Sequence, residues 1–157
     1  MTDLAIPTIQ LQAEIRYFDE RPLTGRIFLP QQAAHHEGPT RPEEWMNEGG
    51  PFFPFIPDSS DRAVILNKRY IVVLTVTAGY ELLHLPEETG VSTYVQVKCG
   101  SLELEGLVYI DMPDTNRRLT DWVNRPEPFL MLRDGDVRHL IQKSRITFLS
   151  EPAGELP

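Results

Sequence analysis

Cysteine is nearly absent from this sequence, which has one such residue in 157. Cys99 alone can form neither an internal disulfide bond nor a multi-cysteine zinc site. Small secreted scaffolds held together by disulfides are therefore excluded, and we expect a protein of the reducing cytoplasm that is stabilised by a hydrophobic core. At this length roughly two thirds of the surface of the unfolded chain can be buried, which suffices for such a core.

Positive charge and long apolar runs are also scarce. Lys and Arg total 15 against 23 Asp and Glu, which gives a formal net charge of −8. This balance opposes general attraction to phosphate backbones and to anionic lipids, so nucleic acid is an unfavoured partner. The longest largely apolar stretch, Tyr70 to Val76, has seven residues, far fewer than the roughly 20 that span a bilayer. Met1 to Pro7 has no export signal pattern, and we expect no membrane association.

Motifs that carry known chemistry are lacking as well. The sequence contains no Gly-rich phosphate loop, no nucleophile elbow and no His-Glu-x-x-His pattern. Val95, Val97 and Cys99 alternate with the polar residues Gln96 and Lys98 and so share one face of a strand. Cys99 is therefore predicted to be a buried strand residue, not a nucleophile. We therefore expect a noncatalytic protein without a cofactor.

What the sequence does contain is a degenerate internal repeat, with segments at 11–74 and 93–149. At an offset of 77, four residue types recur: Trp45, Asn47, Pro51 and Phe52 match Trp122, Asn124, Pro128 and Phe129. Further along the offset is 75: Asp61, Lys68, Ile71 and Leu74 match Asp136, Lys143, Ile146 and Leu149. Upstream, Gly25 matches Gly106. Shared order and spacing predict a duplication.

Each copy has the pattern of about four strands and one short helix. Apolar residues alternate with polar ones over 95–99 and 102–109, which is typical of half-buried strands. Arg117 to Val123 has helical spacing, and Asp134-Gly135 is a strong hairpin signal. We predict an all-β protein with short helices. A first small β-barrel repeat (1–76), a connector (77–92) and a second β-barrel repeat (93–150) precede a flexible tail (151–157), and the two barrels pack as a pseudo-dimer.

The pattern over Val95 to Leu149 resembles the Sm-like small β-barrel, which belongs with the SH3-like architectures. It shares paired strands, a glycine in a bent strand at Glu105-Gly106 and a short final strand at 145–149. Sm-like RNA binders carry an Asp and an Asn in one loop and a basic-glycine pair in another. Here Asp111 and Asn116 are more widely spaced, and Gln142-Lys143-Ser144 replaces the second signature. Of the family's properties, the resemblance therefore implies only the small-barrel architecture, and the tandem arrangement also resembles bacterial repeat proteins of this kind.

Aromatic residues supply the candidate interface. Trp45 and Trp122 occupy equivalent places, where they either anchor a partner or pack the short helix onto a barrel. The run Pro51 to Pro57 has a proline at every third position, which favours an extended backbone that cannot pair fully. We predict an interaction or assembly module of the bacterial cytoplasm, with an interface at Trp45, Phe53, Phe55 and Trp122. The candidate partners are another protein and a second copy of the chain.

Two alternatives from other classes stay open. Basic residues beside aromatics can bind single-stranded RNA, and the densest such pairs are Lys68-Arg69 and Arg117-Arg118. The other alternative is a metal-dependent protein that uses the His35-His36 loop. This pair, followed by Glu37, has the residue types of a metal site but not the spacing that aims two ligands at one ion.

Overall fold

The computed structural model describes residues 7–17, 21–77, 91–111 and 119–152. The chain divides into two compact units, unit 1 (Met1–Thr77) and unit 2 (Ala78–Pro157). The described residues form ten β-strands and two short α-helices. The prediction of a mostly β protein with short helices is confirmed.

Unit 1 begins with two long strands and ends with a strand that follows a single 3₁₀ turn. Its elements are β1 (Thr8–Tyr17), β2 (Leu23–Pro30), α1 (Pro42–Asn47), β3 (Phe52–Pro57), β4 (Val64–Asn67), the 3₁₀ turn (Lys68–Tyr70) and β5 (Ile71–Thr77). The strands lie in the order β5-β1-β2-β3-β4, and each neighbouring pair is antiparallel. The described pairings thus form an open row of five strands that ends at β4.

Unit 2 has the same elements in the same sequence. They are β6 (Val91–Cys99), β7 (Leu102–Ile110), α2 (Leu119–Val123), β8 (Phe129–Asp134), β9 (Val137–Gln142), a 3₁₀ turn (Lys143–Arg145) and β10 (Phe148–Ser150). The strand order is β10-β6-β7-β8-β9, again with antiparallel neighbours. Each strand of unit 1 therefore has an equivalent five strands later, in an equivalent place.

The 3₁₀ turn explains why each unit has five strands where about four were predicted. In unit 1 the Asn67 side chain accepts a hydrogen bond from the Arg69 backbone N–H at 3.0 Å. Asn favours such local bonds over a continuing strand ladder. The apolar segment 63–76 is therefore divided into β4 and β5.

A glycine marks the place where the second strand of each unit meets the third. A Cβ atom on Gly25 would lie 2.2 Å from the carbonyl oxygen of Ile56, and one on Gly106 would lie 2.3 Å from that of Arg133. Either approach is shorter than any real Cβ contact, so only glycine fits. The glycine that suggested a bent strand in the sequence thus has a steric role in both units.

The core of each unit follows the predicted alternation of side chains. On β1, Ala13 and Ile15 are buried, and on β6, Val95 and Val97 are buried. The largest fully buried side chains are Ile15, Ile27, Leu29, Met46, Phe55, Ile71 and Leu74 in unit 1, and Leu130, Leu132, Leu140 and Ile141 in unit 2. The outward faces are covered on some strands and exposed on others, and the exposed ones are the candidate binding surfaces.

Candidate protein interface

The two tryptophans lie on the two helices, and both are half-buried. The Trp45 ring meets the Phe53 ring edge-on, with ring centroids 4.6 Å apart and an interplanar angle of 62°. This geometry is favourable for aromatic pairs, and it holds α1 against β3. Trp122 occupies the equivalent position on α2. Each tryptophan leaves only part of its surface for a partner.

Phe53 and Phe55 lie in the core of unit 1, where they are 3% and 0% exposed. The Phe55 ring tip lies 2.5 Å from where a Cβ atom of Gly25 would be. Successive residues of a strand point to opposite faces, and the inward face of β3 takes these two rings. They offer no surface to a partner, which corrects their assignment as interface anchors.

The opposite face of β3 is the exposed one. Phe52 is 59% exposed, and Ile65 on β4 is 64% exposed. Pro54 pairs with Ile65 and Phe52 pairs with Asn67, so Phe52 and Ile65 are diagonal neighbours on one face, within reach of large side chains. We call Phe52, Pro54 and Ile65 the hairpin face. Alternation within the Pro/Phe run could have identified Phe52, but Ile65 lies in a strand of four residues with no clear period.

The same face of unit 2 is buried. The equivalents of Phe52 and Ile65 are Phe129 and Leu140, which are 4% and 0% exposed. Leu140 pairs with Met131, as Ile65 pairs with Pro54 in unit 1. Two hairpins of matching register and similar residue type thus differ in whether their outward face is covered.

In each unit one end strand is mostly buried and the other is exposed, but the exposed strands of the two units are not equivalent. In unit 1, β5 is buried over most of its length and β4 is largely exposed. In unit 2, β9 is largely buried, whereas β10 includes Phe148, which is 51% exposed. Unit 1 therefore exposes its fourth strand, and unit 2 exposes its fifth.

A groove lies beside β10, between this strand and α2. Its volume is about 350 Å³, and its lining includes Leu119, Val123, Lys143, Ile146, Phe148 and Leu149. At the equivalent helix positions unit 1 has Pro42 and Met46, both buried. Val123 on α2 is shorter than methionine and is half-buried. The larger Met46 side chain is packed into unit 1, while the matching place in unit 2 is open.

Among the described residues of the predicted RNA surface, Lys68 is buried. Lys68 is 8% exposed, and its Nζ donates to the backbone oxygens of Trp45 (2.5 Å) and Glu48 (2.9 Å). Burial lowers the pKa of the Lys68 ammonium. This lysine stabilises a helix end and is not presented to phosphates, which corrects its assignment. Arg69 is exposed, and Arg117-Arg118 lies outside the described residues.

In the loop that was considered as a metal site, His36 is hydrogen-bonded within the protein. The ring of His36 faces two acceptors: Nδ1 lies 2.8 Å from the backbone oxygen of Glu37, and Nε2 lies 2.5 Å from the Glu44 carboxylate. The hydrogen bond to Glu37, and next that to Glu44, raise the pKa of His36. His35 is exposed. Within the described residues, no group of three His, Cys, Asp or Glu side chains could hold a metal ion.

Cys99 is buried at the end of β6, as its alternation predicted. Burial raises the pKa of its thiol to about 11. The thiolate is the nucleophilic form, so the raised pKa and the burial both disfavour reaction of this cysteine at neutral pH.

Comparisons with protein-family models, with curated proteins and with solved structures found no match to this chain. In the described parts of the chain, neither helix has the length and apolar character needed to cross a bilayer. The candidate interface is therefore defined by the geometry of the two units alone.

Proposed function

We propose that this protein is a noncatalytic cytoplasmic assembly module that associates with a second copy of itself. The observation that carries the proposal is the hairpin face, where Phe52 and Ile65 are each more than half exposed on neighbouring strands. Large apolar side chains grouped at the end of a sheet are typical of interaction surfaces. Burying such a side chain fully contributes about 1.5–3 kcal/mol.

As part of the proposal, the two units are duplicated small barrels of the Sm-like or SH3-like kind, packed as a pseudo-dimer. Their shared element order and the close-contact glycines Gly25 and Gly106 support the duplication. So do two equivalent lysines. Lys68 Nζ donates to the carbonyl oxygen of Glu48, and Lys143 Nζ donates to that of Arg125, the matching residue at an offset of 77.

A second copy is favoured over RNA by the distribution of charge. The chain carries −8, and Lys68 is bonded to helix carbonyls. A face that combines aromatic and aliphatic side chains has no phosphate-neutralising role, whereas it matches the composition of interface centres.

Sedimentation velocity over a range of concentrations tests the proposal. We expect the unmodified protein to associate as concentration rises, and the double variant Phe52→Ser/Ile65→Ser to sediment as a monomer with an unchanged circular dichroism spectrum. The matched control is Tyr94→Ser/Leu107→Ser, which removes an exposed cross-strand pair from unit 2 and should leave association intact. An unmodified protein that stays monomeric, or a hairpin variant that associates normally, would contradict the proposal.

A further inference from the structure

The two exposed end strands, β4 and β10, belong to different units, and each carries an exposed apolar side chain. In unit 2, β10 uses one side to pair with β6, through Phe148 with Lys98 and Leu149 with Val97. It ends the strand order there, as β4 does in unit 1. All described strand pairings in this chain are antiparallel within each unit. An end strand offers unpaired backbone groups to a strand of another chain.

One antiparallel register between β4 and β10 sets an apolar residue opposite an apolar residue and a positive charge opposite a negative charge. Residue numbers opposite each other in an antiparallel pair have a constant sum. The register that sets Arg62 opposite Glu151 also sets Ile65 opposite Phe148. Both charged residues are exposed, and both apolar residues are more than half exposed. Apolar cross-strand pairs and opposite charges each stabilise such a ladder.

Pairing of β4 with another β4 lacks this match. Any antiparallel register that sets Ile65 opposite a residue of β4 in the other copy places Arg62 opposite one of residues 67–70, none of which is acidic. Pairing of β4 with itself therefore offers Arg62 no opposite charge, whereas Glu151 directly follows β10.

The groove between α2 and β10 gives the incoming strand a place for its side chains. Its volume of about 350 Å³ exceeds that of an aliphatic side chain, and Leu119, Val123 and Ile146 line it with apolar surface. In unit 1 the equivalent of Val123 is Met46, which is 2% exposed. The chain itself thus shows that an apolar side chain suits this place.

We propose that self-association is head to tail: β4 of one copy adds to β10 of the next, with its apolar side chains against the groove beside α2. This inference rests on the self-association proposed above and names its two surfaces. Every copy carries one β4 strand and one groove, so the contact is heterologous. Such contacts give a closed ring or a filament, according to the rotation between copies.

Mixing two blocked variants tests the head-to-tail arrangement. Ile65→Asp places a charge on β4 and leaves the groove intact, whereas Thr120→Trp covers the groove from an exposed helix position and leaves β4 intact. Each variant alone should be monomeric in sedimentation velocity. An equimolar mixture should form a one-to-one dimer that grows no further, because each dimer retains only the two blocked surfaces. The dimer also shows that both variants are folded.

Three outcomes separate this inference from the proposed function. If the unmodified protein does not associate, both fail. If Ile65→Asp abolishes association and Thr120→Trp does not, self-association stands and the head-to-tail contact is wrong. If both single variants are folded monomers and the mixture stays monomeric, the inference is overturned as well.

Charge reversal provides a second test that does not touch the apolar groups. Arg62→Glu should weaken association several-fold, and adding Glu151→Arg should restore it, since the pair is re-formed with opposite polarity. Glu151→Arg combined with unmodified Arg62 should weaken association as much as Arg62→Glu does. Independent, additive effects of the two substitutions would contradict the proposed register.

Discussion

The ammonium group of Lys68 donates a hydrogen bond to the carbonyl oxygen of Trp45 at 2.5 Å and lies 5.4 Å from the centre of the same residue's indole ring. A second bond, to the carbonyl oxygen of Glu48, is 2.9 Å long. The last carbonyls of a helix have no partner within the helix, and a cation is favourable there. In unit 2, Lys143 reaches the carbonyl oxygen of Arg125 at 3.0 Å.

Lys68→Met should destabilise the protein by about 1–3 kcal/mol, because it leaves two carbonyl oxygens at the end of α1 without their donor. The comparison variant is Lys143→Met. It removes a hydrogen bond of the same kind, to the carbonyl oxygen of Arg125, from a less buried residue and should have a smaller effect. Urea unfolding followed by circular dichroism measures both. An effect of Lys143→Met equal to that of Lys68→Met would contradict this account of the helix end.

Gly25→Ala and Gly106→Ala should each destabilise the protein by about 1–3 kcal/mol or more, since the added methyl group would overlap a backbone oxygen that cannot move away freely. Thermal unfolding measures the change. Gly50→Ala is the matched control, because a Cβ atom there meets nothing within 4 Å. Its melting temperature should equal that of the unmodified protein, and normal stability of Gly25→Ala would show that β2 and β3 are not packed as described.

His36 should titrate above its ordinary pKa of 6.5 when followed by NMR, because its two ring nitrogens face the Glu37 carbonyl and the Glu44 carboxylate. The folded protein then holds this proton more tightly than the unfolded chain. The stabilisation is complete below the unfolded pKa and is lost as pH rises through the folded pKa. The difference in stability between the unmodified protein and His36→Gln should shrink over that window.

The control for His36 is His35→Gln, which removes an adjacent exposed imidazole without touching Glu44. Its stability profile should follow that of the unmodified protein. If His36→Gln and His35→Gln behave alike across the pH range, the contact between His36 and Glu44 does not stabilise the fold.

Cys99 should react very slowly with a thiol reagent in the folded protein. At pH 8 a thiol with a pKa of about 11 is roughly one thousandth thiolate, and burial also blocks access. In denaturant the reaction should reach the rate of an ordinary cysteine. A native rate equal to the denatured rate would show that the end of β6 is open to solvent.

Much of the fold was predictable because side-chain period and steric limits are local properties. Alternation over 95–99 predicted a strand with Cys99 inward, and the match of Gly25 with Gly106 was part of the predicted repeat. The burial and the hydrogen bonds of Lys68 could not be predicted from such local patterns. Its carbonyl partners lie 20 and 23 residues away, and a lysine next to an arginine and a tyrosine has the pattern of a solvent-facing basic patch.

The sequence by itself determined which side chains share a face: period-two alternation puts Phe53 and Phe55 on one side of β3 and Phe52 on the other. Only the tertiary structure decided which faces are covered. Phe52 and Phe129 are the same residue type at matching places in two similar hairpins, yet they are 59% and 4% exposed. Alternation is set by backbone geometry along one strand, whereas burial depends on residues far away in the chain that pack against it.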